Sequence, residues 1–174
     1  MAVAESDLAL RDGRTVHLRS VKPDDEAEIL QAFWRLSEDA RYLRFMRVVR
    51  EPDRERLRSA IASFPEAGIG IVATTPAADG IDIVGSAIAV LDRERAGCEF
   101  AVTVGPDFSG AGLATVLMTS IIDEASRRGL EEMRGYVLAQ NKPMLRLAKR
   151  LGFDITIEAE DASVRICRML LRSS

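Results

Sequence analysis

The segment Val104-Gly-Pro-Asp-Phe-Ser-Gly-Ala-Gly-Leu-Ala114 decides how this sequence is interpreted. It follows a β-rich run and precedes a stretch whose apolar residues recur at helical spacing. Glycines let backbone N–H groups approach a ligand closely, and the start of a helix adds unpaired donors and the positive end of a dipole. The segment therefore favours a phosphate-binding loop over the alternative, a turn whose glycines serve geometry alone.

Two other nucleotide-binding motifs fit this segment poorly. A Walker loop requires Gly-Lys followed by Ser or Thr, a combination that the segment lacks. A dinucleotide fingerprint requires a third small residue at Thr115 and a βαβ unit that opens the chain. The glycines instead come mid-chain, after three β-rich runs, so nicotinamide or flavin binding is not favoured.

The pattern on both sides of the loop predicts a mixed α/β fold. Short connections between β-rich runs indicate an antiparallel meander, and a helical crossover indicates that the next strand is parallel to the one before it. Three helices are predicted to begin near Pro23, Ser37 and Pro52, before the meander. The other predicted elements are strands at 15–21, 69–74, 81–91, 97–104 and 133–138, helices at 113–129 and 141–151, a hairpin at 155–157 and 164–171, and a loop at 76–80.

Composition excludes several classes of protein. The chain has 174 residues, of which 47% are hydrophobic, and a net charge of −3. These values predict one globular domain, residues 1–174, and argue against disorder and against a nucleic-acid binder, which usually carries excess positive charge. Two cysteines, no signal peptide and no membrane-spanning apolar run predict a cytoplasmic protein without a membrane partner. No cysteine or histidine cluster suggests a metal site.

The glycine segment resembles the pyrophosphate loop of the GNAT superfamily of acyl-CoA-dependent N-acyltransferases, written Gln/Arg-x-x-Gly-x-Gly/Ala. Gly112 and Ala114 match that pattern, whereas Ser109 replaces its Gln or Arg. Residues 141–153 resemble the second motif of the family, and the predicted element order agrees over nearly the whole chain. Residues 10–19, 23–26, 37–45 and 98–104 look most like the catalytic domain of bacterial protein lysine acetyltransferases.

The resemblance implies a mostly antiparallel central sheet with one splayed parallel pair and helices on both faces. It also implies acetyl-CoA as co-substrate, with no metal, and an amine acceptor, most simply a protein lysine. Glu99 corresponds to the catalytic base, while Ala148 stands where the family usually has a proton-donating tyrosine. The residues implied to bind the cofactor are Val102, Val104, Ser109, Gly110, Ala111, Gly112, Leu113, Ala114, Asn141 and Met144.

Other charged or reactive residues are interpreted as structural or auxiliary. His17 is expected to be structural, and Cys98, which adjoins Glu99 but points to the opposite face of its strand, is expected to lie in the core. The acids of residues 158–161 are hypothesised to attract a basic peptide. Two basic groups complete the set: a helical-spaced stripe, expected to be solvated, at Arg41, Arg44, Arg47 and Arg50, and candidate contacts for the 3′-phosphate at Lys142, Arg146 and Lys149.

Two alternatives to a protein lysine acetyltransferase remain open at this point. One is an enzyme that acetylates a small amine or an amino acid, because acceptor choice depends on loops rather than on the fold. The other is a non-catalytic acyl-CoA sensor, which the departures at Ser109 and Ala148 allow. The sequence also leaves the oligomeric state open, with a homodimer among the alternatives.

Overall fold

The backbone forms one eight-stranded sheet in the order β1-β2-β3-β4-β5-β6-β8-β7. The structure is a computed structural model that describes residues 3–172, apart from the side chain of Arg95. Every neighbouring pair of strands is antiparallel except β5 and β6, which are parallel. The strands are β1 (Ser6–Ala9), β2 (Thr15–Ser20), β3 (Gly68–Ala77), β4 (Gly80–Asp92), β5 (Gly97–Val104), β6 (Glu132–Leu138), β7 (Asp154–Ile157) and β8 (Val164–Leu170).

Side-chain caps and glycines set the ends of the helices. Ser37 and Asp53 each accept a hydrogen bond from a backbone N–H group in the first turn that follows, and Asn141 does the same. Gly152 ends the last helix in the left-handed conformation, with φ 101°. The helices are α1 (Glu26–Arg35), α2 (Glu38–Phe45), α3 (Arg54–Ser63), α4 (Leu113–Arg127) and α5 (Lys142–Leu151).

Helices cover both faces of the sheet. Ile69 and Ile71 of β3 are buried in one core together with apolar residues of α4 and α5. Gly70, which alternates with them, lies under the ring of Phe64 on the opposite face, where α1, α2 and α3 lie. Residues of one strand therefore divide between the α4/α5 face and the α1–α3 face.

The parallel pair is short and then opens. β5 and β6 are paired only from Gly97 with Glu132 to Glu99 with Arg134. Beyond that point β5 continues to Val104 and β6 to Leu138 without pairing with each other. The split leaves a cleft between two central strands of the sheet, and the α4 N-terminus lies at the far end of β5.

The predicted fold class, the antiparallel meander, the parallel pair and the closing hairpin are confirmed. The loop predicted at 76–80 is wrong for most of its length, because β3 continues through Pro76, which is opposite Ile81. Proline is tolerated at the end of a strand, and the chain turns within Ala78 and Asp79. Within residues 3–172, no helix has the length and apolarity that crossing a bilayer would require.

Candidate functional site

The cleft between β5 and β6 brings together distant parts of the chain. Val102 of β5 lines the cleft together with Asn141 and Met144 at the start of α5. The space between them measures about 60 Å³. Its remaining walls are formed by Leu43, Arg44, Phe100, Ala101, Tyr136 and Val137.

The glycine loop has the geometry of an anion cradle. Gly110 and Gly112 have φ values of 76° and 88°, a region that residues with a Cβ rarely adopt. Gly112 is the N-cap of α4, and the first bond of the helix runs from the Val116 N–H to the Gly112 carbonyl oxygen, at 3.2 Å. The N–H groups of the three residues before Val116 therefore have no acceptor within the helix.

The other loop residues divide between exposed and buried positions. Ser109 and Gly110 are exposed, and a Cβ added to Gly110 would meet no atom within 4 Å. The side chains of Ala111 and Leu113 are buried in the core, so only their backbone groups are available to a ligand. Val104 and Ala114 are partly buried beside them.

A larger cavity of about 380 Å³ lies at the narrow end of the split, on the face opposite α4 and α5. Glu99 stands on its wall with an exposed side chain, directly across from Arg134 in the parallel register. Tyr136 lines both this cavity and the cleft, and it is 37% exposed. The cavity is lined by Val90, Leu91, Asp92, Arg93, Glu94, Gly97, Cys98, Glu99, Glu132, Arg134 and Tyr136.

Two arginines hold the Glu132 carboxylate on the wall of this cavity. Arg134 and Arg168 both form ion pairs with Glu132, the second at 2.7 Å. Burial acts to raise the pKa of Glu132, but the hydrogen bonds from these guanidinium groups outweigh it and place the pKa below its usual value. Glu132 is therefore occupied by two ion pairs and is a poor base. Glu99, to which no described residue is ion-paired, is the better candidate.

Arg44 reaches from α2 toward Glu99. Its Nε–H donates a hydrogen bond to Thr103 Oγ1 at 2.9 Å. Burial lowers the pKa of Arg44 to about 10, and the negative charge of Glu99 opposes that effect. Arg44 therefore does not belong to a solvated stripe, and α2 ends at Phe45, so Arg47 and Arg50 lie beyond the helix.

Cys98 is poorly suited to act as a nucleophile at neutral pH. Its side chain is 3% exposed, and burial raises the pKa of the thiol to about 12. Because the thiolate is the reactive form, a covalent acyl-cysteine route is disfavoured. The sequence-based assignment of Cys98 to the core is confirmed.

The structure shows where Ala148, His17 and the acidic loop at residues 158–161 lie. Ala148 is fully buried, and as an alanine it offers no hydroxyl at the position where the family usually has tyrosine. His17 lies on the surface between Asp7 and Glu5, away from the cleft. The loop at residues 158–161 lies beside Ala139, at the opposite end of β6 from Glu132 and the cavity, and its attraction of a basic peptide stays a prediction.

The sequence interpretation missed Arg44 and Tyr136 as parts of this site. Tyr136 lies two residues beyond Arg134, so both side chains lie on the same face of β6. The alternation of side chains along a strand could have predicted this from the sequence. The register that places this face beside Glu99 is a tertiary feature. Within residues 3–172, no three or more His, Cys, Asp or Glu side chains are arranged so that they could hold a metal ion.

Comparison with known proteins agrees with this geometry. Residues 15–154 match the acetyltransferase (GNAT) domain family. The acetyltransferase PA5475 of Pseudomonas aeruginosa is 31% identical over 163 residues, which cover 94% of this chain and 88% of that protein. The chain belongs to the GNAT acetyltransferase family.

Two further matches define the range of the similarity. The GNAT domain of Streptomyces lividans PAT superposes with a TM-score of 0.85 at 20% identity, over 96% of this chain and 97% of that domain. The L-methionine sulfoximine/L-methionine sulfone acetyltransferase of Salmonella typhimurium is 35% identical over 79 residues, 45% of this chain and 46% of that protein. Relatives thus include an enzyme named for small amino-acid substrates.

Membership of the GNAT family makes the protein an acyltransferase and argues against the non-catalytic sensor. GNAT enzymes take the acetyl group from acetyl-CoA. The chain fits that ligand. The anion cradle at the α4 N-terminus follows β5, and the edge of β5 that faces β6 lines the narrow cleft. The phosphates of the ligand would lie at the glycine loop, and its pantetheine arm would lie in the cleft between β5 and β6.

Proposed function

We propose that this GNAT enzyme transfers an acetyl group from acetyl-CoA to the side-chain amine of a protein lysine, with Glu99 as the general base. The observation that carries the proposal is the state of the Glu99 carboxylate. It stands on the wall of an open cavity, and no described residue donates a hydrogen bond to it or forms an ion pair with it. A base in this state can accept a proton from an incoming amine.

A lysine acceptor needs such a base. The free lysine side chain has a pKa of about 10.4 and is almost wholly protonated at neutral pH, so it has no lone pair with which to attack. Glu99 takes the ammonium proton, directly or through one water molecule, as the nitrogen approaches the acyl group. Acetyl-CoA, when bound, supplies an acyl group activated as a thioester.

Residues on either side of the cleft are suited to hold the donor. The backbone of Val102 and Val104, which β6 leaves unpaired, can hydrogen-bond the pantetheine arm as an added strand would. Backbone amides of Gly110, Gly112, Leu113 and Ala114 are suited to the pyrophosphate. Met144 and the Asn141 side chain line the cleft, although the Asn141 Oδ1 atom already accepts the Met144 N–H at 3.4 Å.

The charge around the cavity supports a cationic acceptor. Four carboxylates line it, those of Asp92, Glu94, Glu99 and Glu132, against the guanidinium groups of Arg93 and Arg134 and that of Arg168, which is paired with Glu132. The side chains of Arg93, Glu94 and Glu99 are exposed, so the cavity opens at the protein surface. An open and acidic entrance suits a lysine presented by a larger molecule. We further propose that the enzyme acts in the cytoplasm, since its two cysteines are free thiols.

One observation favours the small amino-acid acceptor as a second candidate. Arg44 carries a half-buried positive charge near Glu99, and only its Nε–H has a described acceptor. A free amino acid would offer its carboxylate to Arg44 and its amine to Glu99. The relative from Salmonella typhimurium, named for methionine derivatives, is consistent with this alternative.

Labelled acetyl-CoA distinguishes the two candidates. The protein is incubated with labelled acetyl-CoA and a lysate of its source organism, in parallel with the Glu99→Gln variant as a blank for non-enzymatic acetylation. We expect protein lysines that are labelled by the wild type and not by the variant. Label confined to small amines or amino acids would reject the lysine assignment in favour of the second candidate.

A further inference from the structure

The turn between β1 and β2, residues 10–14, lies against the glycine loop. The Arg11 backbone N–H donates to the Ala111 carbonyl oxygen at 3.2 Å. Arg14 donates to the Asp107 carbonyl oxygen at 2.8 Å and places its guanidinium carbon 3.9 Å from the centre of the Phe108 ring. These contacts fix the turn relative to the loop at two separate points.

The Arg11 side chain crosses the loop at Gly112. A Cβ added to Gly112 would lie 3.0 Å from Arg11 Nε, so the glycine leaves the space that the guanidinium occupies. Gly112 is also the N-cap of α4, where unpaired N–H groups begin. Arg11 is exposed, and no described residue accepts a hydrogen bond from its guanidinium or pairs with its charge.

The loop itself contributes no cation. Asp107 is the only charged residue between Val104 and Ala114. The helix dipole adds the equivalent of about half a positive charge, less than a pyrophosphate group requires. A guanidinium group is suited to the remainder, because its fork of N–H donors matches two phosphate oxygens at once.

We propose that Arg11 binds the pyrophosphate of acyl-CoA and supplies the positive charge that the loop lacks. The proposal rests on the proposed donor and adds a residue from outside the loop to its binding site. Arg11 reaches the site because the turn is fastened to Ala111 and Phe108, and because Gly112 has no side chain. The same contacts couple the short β1–β2 hairpin to donor binding.

The test is calorimetric binding of CoA and dephospho-CoA to the wild type and to Arg11→Gln, together with displacement of CoA by pantetheine, which has no phosphate. Arg56→Gln, at an exposed residue of α3, is the matched control for loss of one positive charge. Thermal unfolding of each variant reports whether the fold is retained. We expect Arg11→Gln to weaken CoA and dephospho-CoA about 10- to 100-fold while leaving pantetheine unchanged. Arg11→Lys is expected to recover part of the loss.

The other outcomes contradict the proposal in distinguishable ways. An equal loss for CoA and pantetheine would show that Arg11 only supports the fold of the loop. A loss that disappears with dephospho-CoA would assign Arg11 to the 3′-phosphate instead, and no loss would exclude the contact. Failure of the wild type to bind CoA would instead contradict the proposed donor. CoA binding without amine acetylation would contradict the proposed reaction and leave Arg11 in place.

Discussion

The ring of Phe100 lies directly on the Cα of Gly135, so closely that a Cβ added there would be 2.3 Å from two ring carbons. The pairing of β5 with β6 ends at Glu99 and Arg134, one residue before each of these two. The ring also packs on Phe153, with 5.1 Å between the ring centres. Phe100 thus holds the two strands apart at the point where the cleft begins, and Gly135 provides the space for it.

Replacing Gly135 with alanine tests this relationship. The Cβ would force the Phe100 ring to move, and overpacking of this kind costs about 2 kcal/mol of the free energy of unfolding. We also expect weaker CoA binding, because the ring forms part of the cleft wall. Chemical denaturation and calorimetry measure the two effects. Adding Phe100→Leu to Gly135→Ala should recover part of the loss. Strictly additive effects of the two substitutions would show that the Phe100 ring does not hold the strands apart at Gly135.

A second prediction concerns the buried ion pair beneath α1. Arg19 donates two hydrogen bonds of 2.8 Å to Asp25, and the Lys22 N–H donates a third at 2.7 Å. Burial acts to raise the pKa of Asp25, but these donors outweigh it, so the pKa lies below its usual value. Asp25→Asn leaves a buried guanidinium unpaired, and we expect a loss of about 3 kcal/mol at pH 7.

The pH dependence of that loss follows from the direction of the shift. A depressed pKa means that the stabilisation is complete above the unfolded value, about 3.9, and is lost as pH falls through the lower native value. The difference between wild type and Asp25→Asn should therefore be constant from pH 5 to pH 7 and shrink below about pH 4. Asp24→Asn, at an exposed neighbour, is the control and should change stability little.

His17 provides a pH dependence of the opposite sign. Its hydrogen bond to Asp7, at 2.7 Å, raises the pKa of the imidazole; burial opposes that effect, and Glu5 adds a smaller contribution that raises the pKa. Stabilisation is therefore complete below the unfolded pKa of about 6.5 and is lost as pH rises through the native value. His17→Gln should lower the Tm by roughly 1–2 °C at pH 5.5 and have no effect at pH 9.

Turnover provides the control for His17. The residue lies on the surface of the β1–β2 hairpin and not in the cleft, so His17→Gln should acetylate its acceptor at the wild-type rate. A large fall in turnover without a change in Tm would mean that His17 has a role in the reaction that its position outside the cleft does not explain.

Local patterns predicted the elements that depend on short-range chemistry. The helix starts predicted near Ser37 and at Asn141 coincide with side-chain caps, and the alternation of β5 separated Cys98 from Glu99. Pro76 shows the limit of such reasoning, because a proline at a strand end and a proline in a loop look the same in sequence.

The residues missed in the site are those that reach it from elsewhere in the chain. Arg44 has the same spacing as a solvated stripe, and only the packing of α2 beside β5 turns it toward Thr103. Arg11 belongs to a turn more than ninety positions before the loop that it touches, at Ala111 and Gly112. Contacts of this kind depend on tertiary packing, which no local pattern encodes.

The proposed reaction depends most on Glu99 as the base that deprotonates the acceptor amine. The direct measurement is kcat for Glu99→Gln with the acceptor found by labelling, beside calorimetric binding of acetyl-CoA to the same variant. The exposed Glu131→Gln, outside the cavity, is the matched control. We predict a fall in kcat of about 10²- to 10⁴-fold with unchanged acetyl-CoA affinity. Turnover within about twofold of the wild type would rule out Glu99 as the general base, because a general base contributes about 10²- to 10⁴-fold to the rate.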